Sequence, residues 1–129
     1  MEKKLLDAAK QVVGKFSLNG FEGNSAGQVA SALITSKGNV YTGICMDVAC
    51  NLGFCAEHAA IAEMLKNRET EVAWIVAILE DGKILPPCGR CREMLVQINE
   101  CNVNTKVIIN QGQMVPLSEL LPFLWHTRL

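Results

Sequence analysis

The sequence predicts an α/β domain of three layers, α/β/α, around a mixed sheet of about five strands. Three observations carry that expectation. The chain has 129 residues, 50% apolar and 19% charged, which suits one compact core and leaves no room for a second. Its hydrophobic period switches between helical and extended values several times along the chain. Between residues 40 and 99 the order strand, loop, helix occurs twice, the arrangement that builds parallel strands with crossover helices. No repeat, low-complexity tract or Pro/Gly/Ser linker interrupts the sequence, so residues 1–129 form a single expected domain.

Each element has its own signal. Leu5, Ala8, Ala9, Val12, Val13 and Phe16 recur at intervals of three and four, which places them on one face of a first helix. Asn19 to Gly27, with three Gly and two Asn, has loop composition. Val29–Thr35 and Val40–Cys45 are β-biased runs around Ser36, Lys37, Gly38 and Asn39, the pattern of a hairpin. A helix from about Cys55 to Lys66 carries Ala, Ile, Met and Leu on nearly all sides, so extensive burial is expected. Val72–Leu79 is apolar without a break, which suits a central strand covered on both faces, with Trp74 in the core. Asp81, Gly82, Pro86 and Pro87 end it. A third helix follows from about Cys88 to Asn99, with Met94, Leu95 and Ile98 inward. Lys106–Asn110 and Gln113–Val115 are short strands, and Ser118 and Glu119 open a terminal helix that uses Leu120, Leu121 and Leu124.

Lys plus Arg number 12 and Asp plus Glu 13, with the signs interspersed. The chain therefore lacks the basic stripe that a nucleic-acid polymer demands. Its longest apolar run, Val72–Leu79, is far short of the roughly 20 residues that cross a bilayer. Glu2, Lys3, Lys4, Asp7, Lys10 and Lys15 interrupt the first helix, unlike a secretory leader. A cytoplasmic protein without membrane or polynucleotide partners is expected. In that reducing compartment Cys45, Cys50, Cys55, Cys88, Cys91 and Cys101 point to metal, catalysis or simple burial before disulfides.

Adjacent parallel strands with right-handed crossovers bring the starts of their following helices to one sheet edge. Cys55 begins one such helix, and Cys88 and Cys91 begin the other. Cys88 and Cys91 stand three apart, within reach of one ion, and Cys55 supplies a third sulfur. Three thiolates leave a tetrahedral zinc one position open to water, the mark of a catalytic site. Zinc brings the pKa of bound water toward about 7, and Glu57, in the first helical turn, can take up the released proton. The helix N-termini, each worth about half a positive charge, offset part of the thiolate charge, and Arg90 and His58 are candidates for the remainder. Two other readings of the same cysteines stay open. Cys88 and Cys91 after a strand also fit a redox pair. A closed structural zinc with Cys50 or His58 as fourth ligand would give a non-enzymatic module. Cys45, Cys50 and Cys101 are expected as small buried residues, and Phe123, Trp125 and His126 as a packed tail.

Cys55-Ala56-Glu57 with Pro87-Cys88-Gly89-Arg90-Cys91 resembles the signature of the cytidine deaminase family of zinc nucleoside deaminases. Val29-Ala30-Ser31-Ala32 and Tyr41-Thr42-Gly43 are similar to the family's first two strands, and the likeness covers about residues 25 to 125. The resemblance implies the cytidine deaminase-like fold, one zinc per chain and hydrolytic deamination at C4 of a cytosine ring. It implies that Glu57 carries a proton to N3 and then to the departing amine, which leaves as ammonia. It gives Ala56 N–H to the ring carbonyl, the Pro87 carbonyl to the amine, and a homotetramer, or a homodimer, as the assembly. Several positions depart from the family pattern. Cys45-Met46-Asp47 stands where nucleoside deaminases have Asn-x-Glu on the ribose; Asp47 keeps an acceptor, but Cys45 cannot replace an amide. Gly27 stands in place of a base-stacking Phe, His58 in place of Arg, and Arg90 in place of a small residue. Val-Ala-Ser-Ala and Pro-Cys-Gly-Arg-Cys are equally similar to blasticidin-S deaminases. The expected partner is a small nucleoside-type substrate: cytidine, deoxycytidine, a blasticidin S-like compound or another aminated heterocycle.

Overall fold

The computed structural model describes residues 1–126, and side-chain alternation on two central strands divides its core in two. β2 (Ser25–Thr35) sends Ala30, Ala32 and Ile34 to one face and Leu33 to the other. β4 (Val72–Leu79) does the same with Val76 and Ile78 against Ile75, as the two-residue period of a strand requires. α1 (Glu2–Lys10) covers the first face with Leu5 and Ala9. α2 (Ala56–Lys66) and α3 (Gly89–Ile98) cover the second with Ala60, Ile61, Met64 and Leu95. The result is the three-layer α/β/α arrangement. Among the described residues no helix is long and apolar enough to cross a membrane.

The mixed sheet has six strands rather than about five. Its order is β3 (Val40–Asp47), β2, β4, β5 (Lys106–Asn110), β6 (Gln113–Pro116), and the additional strand β1 (Phe16–Ser17) pairs with the beginning of β2. Among the described residues only β4 and β5 are parallel neighbours. β3 and β4 run in the same direction but are not adjacent, because β2 lies between them and is antiparallel to both. The crossover through α2 therefore steps over one strand, and the starts of α2 and α3 still share an edge.

Local boundaries differ where backbone geometry overrides periodicity. The first helix stops at Lys10. Gly14, at φ 155°, turns the chain out, so Val12 is exposed and Phe16 lies in β1 instead of on the helix. The loop from Asn19 is shorter than its composition implies, since Ser25 and Ala26 already pair with both β1 and β3. Gly27, at φ 88°, forms part of a bulge, and a Cβ there would overlap the backbone of Gly14. α2 is buried along one stripe only, Ala56, Glu57, Ala60, Ile61 and Met64, because a helix lying on a sheet covers a single face; Ala62 and Leu65 are exposed. α4 is one turn, Leu117–Leu120, with Leu121 and Leu124 beyond it. Trp74 is half-buried, its ring 5.1 Å from Lys106 Nζ.

Two close fits set the position of the helix starts. Asn102, fully buried in the 3₁₀ turn Glu100–Asn104, donates from Nδ2 to the Thr70 and Leu95 carbonyls (3.0 and 2.9 Å) and accepts from Val72 N–H (2.8 Å). It joins the end of α3 to the start of β4. Gly43 on β3 lets α2 lie directly against the strand: a Cβ would stand 2.6 Å from Ala59 Cβ, 2.7 Å from the Ala56 oxygen, and overlap the Ala60 nitrogen. Helix backbone cannot retreat as a side chain can. Gly43→Ala is therefore expected to destabilise the protein by about 1–3 kcal/mol, seen as a lower urea midpoint at unchanged slope; an unshifted midpoint would contradict this packing.

Candidate metal centre and active site

The chain places two thiols where helix caps normally place oxygen, and a third in the first turn of one of those helices. Cys55 is the N-cap of α2 (φ −72°, ψ 156°) and Cys88 the N-cap of α3 (φ −68°, ψ 169°); neither side chain caps its own helix. Cys91 lies in the first turn of α3, fully buried. Cys55 Sγ is 3.4 Å from Cys88 Sγ, which is 3.7 Å from Cys91 Sγ, and all three lie within 4.8 Å of one another. A zinc–sulfur bond of about 2.3 Å puts tetrahedral ligands roughly 3.8 Å apart. The donor set therefore fits one zinc ion. Among the described residues no fourth His, Cys, Asp or Glu joins the cluster; His58 is turned to Arg90.

Burial is the largest single influence on the protonation of these sulfurs. Burial pushes the Cys55 thiol up, and burial together with the Glu57 charge pushes Cys91 up further. At Cys88 burial acts in the same sense but is outweighed by the N–H groups of Cys91 and Arg90 and by the neighbouring thiols, which bring it below its ordinary value. Collecting three thiolates here without a cation is unfavourable, and a divalent ion reverses that balance. Glu57 is only 5% exposed, and burial raises its carboxyl above the usual carboxylate range.

A cavity of about 790 Å³ opens beside the sulfurs, with Gln28, Cys45, Asp47, Phe54, Glu57 and Arg90 in its wall. Ala56 and Pro86 also border it, whereas Pro87 does not. The Pro87 carbonyl instead accepts a hydrogen bond from Arg92 Nε at 2.7 Å. Arg90 Nη2 lies 3.1 Å from His58 Nδ1, and the imidazole stacks on Phe54 with centroids 4.8 Å apart. Asp47, at the end of β3, is exposed on the cavity rim. Met46 and Phe54 exchange two backbone hydrogen bonds of 3.0 Å across the intervening loop, where Cys50 and Asn51 both adopt positive φ.

Gln28 is the residue that sequence reading missed. Cys45 Sγ donates to Gln28 Oε1 (3.3 Å) and accepts from Val29 N–H (3.4 Å), while Gln28 Nε2 donates to Ser25 Oγ (2.7 Å). The β2 bulge makes this network, and a strand begun at Val29 leaves Gln28 outside it. Cys50 and Cys101 are exposed and Cys45 half-buried, contrary to the burial expected of small cysteines: Cys50 lies in the positive-φ loop and Cys101 in the 3₁₀ turn. The tail also differs from expectation, since Phe123 and Trp125 are 90% and 78% exposed. They follow the last helical turn, past the point where the sheet offers a surface to cover them.

Zinc-loaded protein is expected to hold about one ion per chain by elemental analysis. Cys91→Ala should lose it, and Cys50→Ala should retain it. Retention in Cys91→Ala, or loss in Cys50→Ala, would contradict the three-sulfur centre.

Comparison with known proteins agrees with this geometry. The family model described as the cytidine and deoxycytidylate deaminase zinc-binding region matches residues 3–108. The chain is 33% identical over 100 residues to a cytidine deaminase of Halalkalibacterium halodurans, covering 74% of each. It is similar to the crystal structure of the cytidine deaminase from Bacillus anthracis, with TM-score 0.73 and 28% identity over 96% of this chain and 89% of that one. It shares the fold of the Mycobacterium tuberculosis cytidine deaminase, with TM-score 0.79 and 23% identity over 97% of each chain. With the matched region spanning most of the sequence and both of its cysteine motifs, the chain belongs to the cytidine and deoxycytidylate deaminase family of zinc-binding proteins.

Proposed function

We propose that this protein is a zinc-dependent hydrolase that replaces the exocyclic amine of a cytosine-type nucleoside with a carbonyl and releases ammonia. The observation that carries the proposal is the buried Glu57 carboxyl in the wall of the same cavity as the three-thiol cluster. Cys55, Cys88 and Cys91 would hold the ion, which when bound supplies the Lewis acidity that makes water a nucleophile near neutral pH. Glu57 takes a proton from the attacking water and delivers it to ring N3. It then moves the second proton to the departing amine, so that C4 gains oxygen and loses ammonia. Its raised pKa suits a group that must both accept and give a proton near neutrality. Ala56 N–H, in the first turn of α2 and without a backbone partner among the described residues, is available to the ring carbonyl.

The amine side of the cavity is assigned to the Pro87 carbonyl, which keeps a second lone pair beside the hydrogen bond from Arg92, with Pro86 in the adjoining wall. Arg90, held by His58, is assigned the balance of the thiolate charge, and Asp47 a hydroxyl of the substrate. Residues 1–129 act in this reading as one domain. Exposed Phe16, Phe21 and Leu52, the last in the loop whose Asn51 and Gly53 line the cavity, favour assembly into a homotetramer, or a homodimer. The thiol-rich chain fits a cytoplasmic setting.

One observation favours a second reading of the substrate. Cys45, where an amide would grip a ribose, spends its hydrogen bonds on Gln28 and Val29. A blasticidin S-like compound or another aminated heterocycle then fits better than cytidine itself.

Glu57→Gln should keep its zinc and lose roughly 10²- to 10⁴-fold in turnover, measured as ammonia release; undiminished turnover would remove Glu57 from the proton path. In a panel of cytidine, deoxycytidine, blasticidin S and aminopurines, cytidine should show a lower kcat/KM than at least one other member. Cytidine as the best substrate would overturn the second reading and leave the first intact.

A further inference from the structure

Cys88 is the exposed sulfur of the cluster, 3.4 Å from Cys55 Sγ and 3.7 Å from Cys91 Sγ. Cys91 is fixed by burial and Cys55 is half-buried at the start of α2, but no core packing holds Cys88, and its side chain makes no cap to α3. Its direction must be set through the backbone. Both carbonyls that flank it are held by one residue. Arg92 donates its backbone N–H to Cys88 O at 3.0 Å and its Nε to Pro87 O at 2.7 Å. These oxygens belong to the two peptide planes on either side of Cys88, so holding both fixes its φ and ψ, and with them the Cα–Cβ vector that aims the sulfur.

The clamp has an anchor of its own. Arg92 Nη1 donates to the Leu120 carbonyl at 3.0 Å, at the end of α4. That turn is fixed in place because Leu117 is fully buried and its N–H donates to Thr105 O at 2.8 Å. A planar guanidinium suits this position because its donors diverge at fixed angles, one to the proline turn and one to α4, which a lysine ammonium on a flexible stem cannot reproduce. Arg92 does not line the cavity and takes no part in the proton path.

We propose that Arg92 is a positioning residue that aims the Cys88 sulfur, so that the C-terminal turn α4 helps set the strength and symmetry of the metal site. The inference rests on the reading of Cys55, Cys88 and Cys91 as the zinc ligands. A purely structural arginine would lower thermal stability and leave metal binding alone; a positioning arginine changes the metal site in a chain that remains folded. The test compares the full-length wild type with Arg92→Gln and Arg92→Lys by three measurements. These are zinc affinity by chelator competition, the thiolate-to-metal and ligand-field absorption of the Co²⁺-substituted protein, and the melting temperature of the metal-free chain. Arg92→Gln is expected to bind zinc about 10- to 100-fold more weakly and to show a shifted Co²⁺ spectrum. Arg92→Lys should recover part of both, since an ammonium can hold the Pro87 carbonyl without the α4 anchor. Wild-type zinc affinity and an unchanged Co²⁺ spectrum in Arg92→Gln overturn the proposal, whatever its melting temperature. If the glutamine variant does not fold, the lysine variant decides: weakened binding supports the role, and wild-type binding with an unchanged spectrum overturns it. A wild-type chain that binds no zinc instead defeats the ligand reading beneath it.

Discussion

Three sulfurs held within 4.8 Å of one another at the mouths of two helices are the constraint from which the other features of the site follow. Like-charged donors so close repel one another once ionised, and burial opposes their ionisation. The fold must hold them there before any ion can repay the cost. It does so with rigid elements: β2 pairs along both edges with β3 and β4, and α2 lies on β3 at Gly43 without an intervening side chain. α3 is tied to the start of β4 by the Asn102 amide. The helix N-termini add their partial positive charges at the same edge.

The parts of this arrangement that were legible in the sequence are those governed by local spacing. Two cysteines three apart after a pair of prolines, and a cysteine two residues before a glutamate, announce a ligand set and a neighbouring acid wherever the chain carries them. The eight-residue apolar run of β4 similarly announced a strand buried on both faces. The parts that were not legible depend on pairing between distant segments. Nothing in Val40–Cys45 or Val72–Leu79 says that β2 will lie between them. Phe16 continues a helical period into a strand because Gly14 has already turned the chain. Gln28 enters the site through a bulge at Gly27 that depends on close approach to Gly14, a contact between residues that local pattern cannot foresee. Arg92 carries no local signal, and only the folded chain brings it to Pro87 and Leu120.

The two ends of the cavity differ in how they are built. Around the sulfurs and Glu57 every position is set by a helix start or by burial. Toward Asp47 the wall is a bulge, a thiol–amide pair and a loop with two positive-φ residues. Chemistry that must stay the same sits on the rigid end. The end that would discriminate between substrates under the proposed function is made from segments whose side chains can change without disturbing the sheet.

The exposure of Cys88 has a consequence for how the centre fails. Of the three sulfurs it belongs to the most exposed residue, and its thiol pKa is the one brought down rather than up. Soft electrophiles, peroxide and mercurials act on accessible thiolate, so in metal-free protein alkylation or oxidation begins at that outer sulfur while Cys91 is shielded. Because the centre has three sulfurs, a single modified atom at Cys88 leaves two and disarms the whole ligand set.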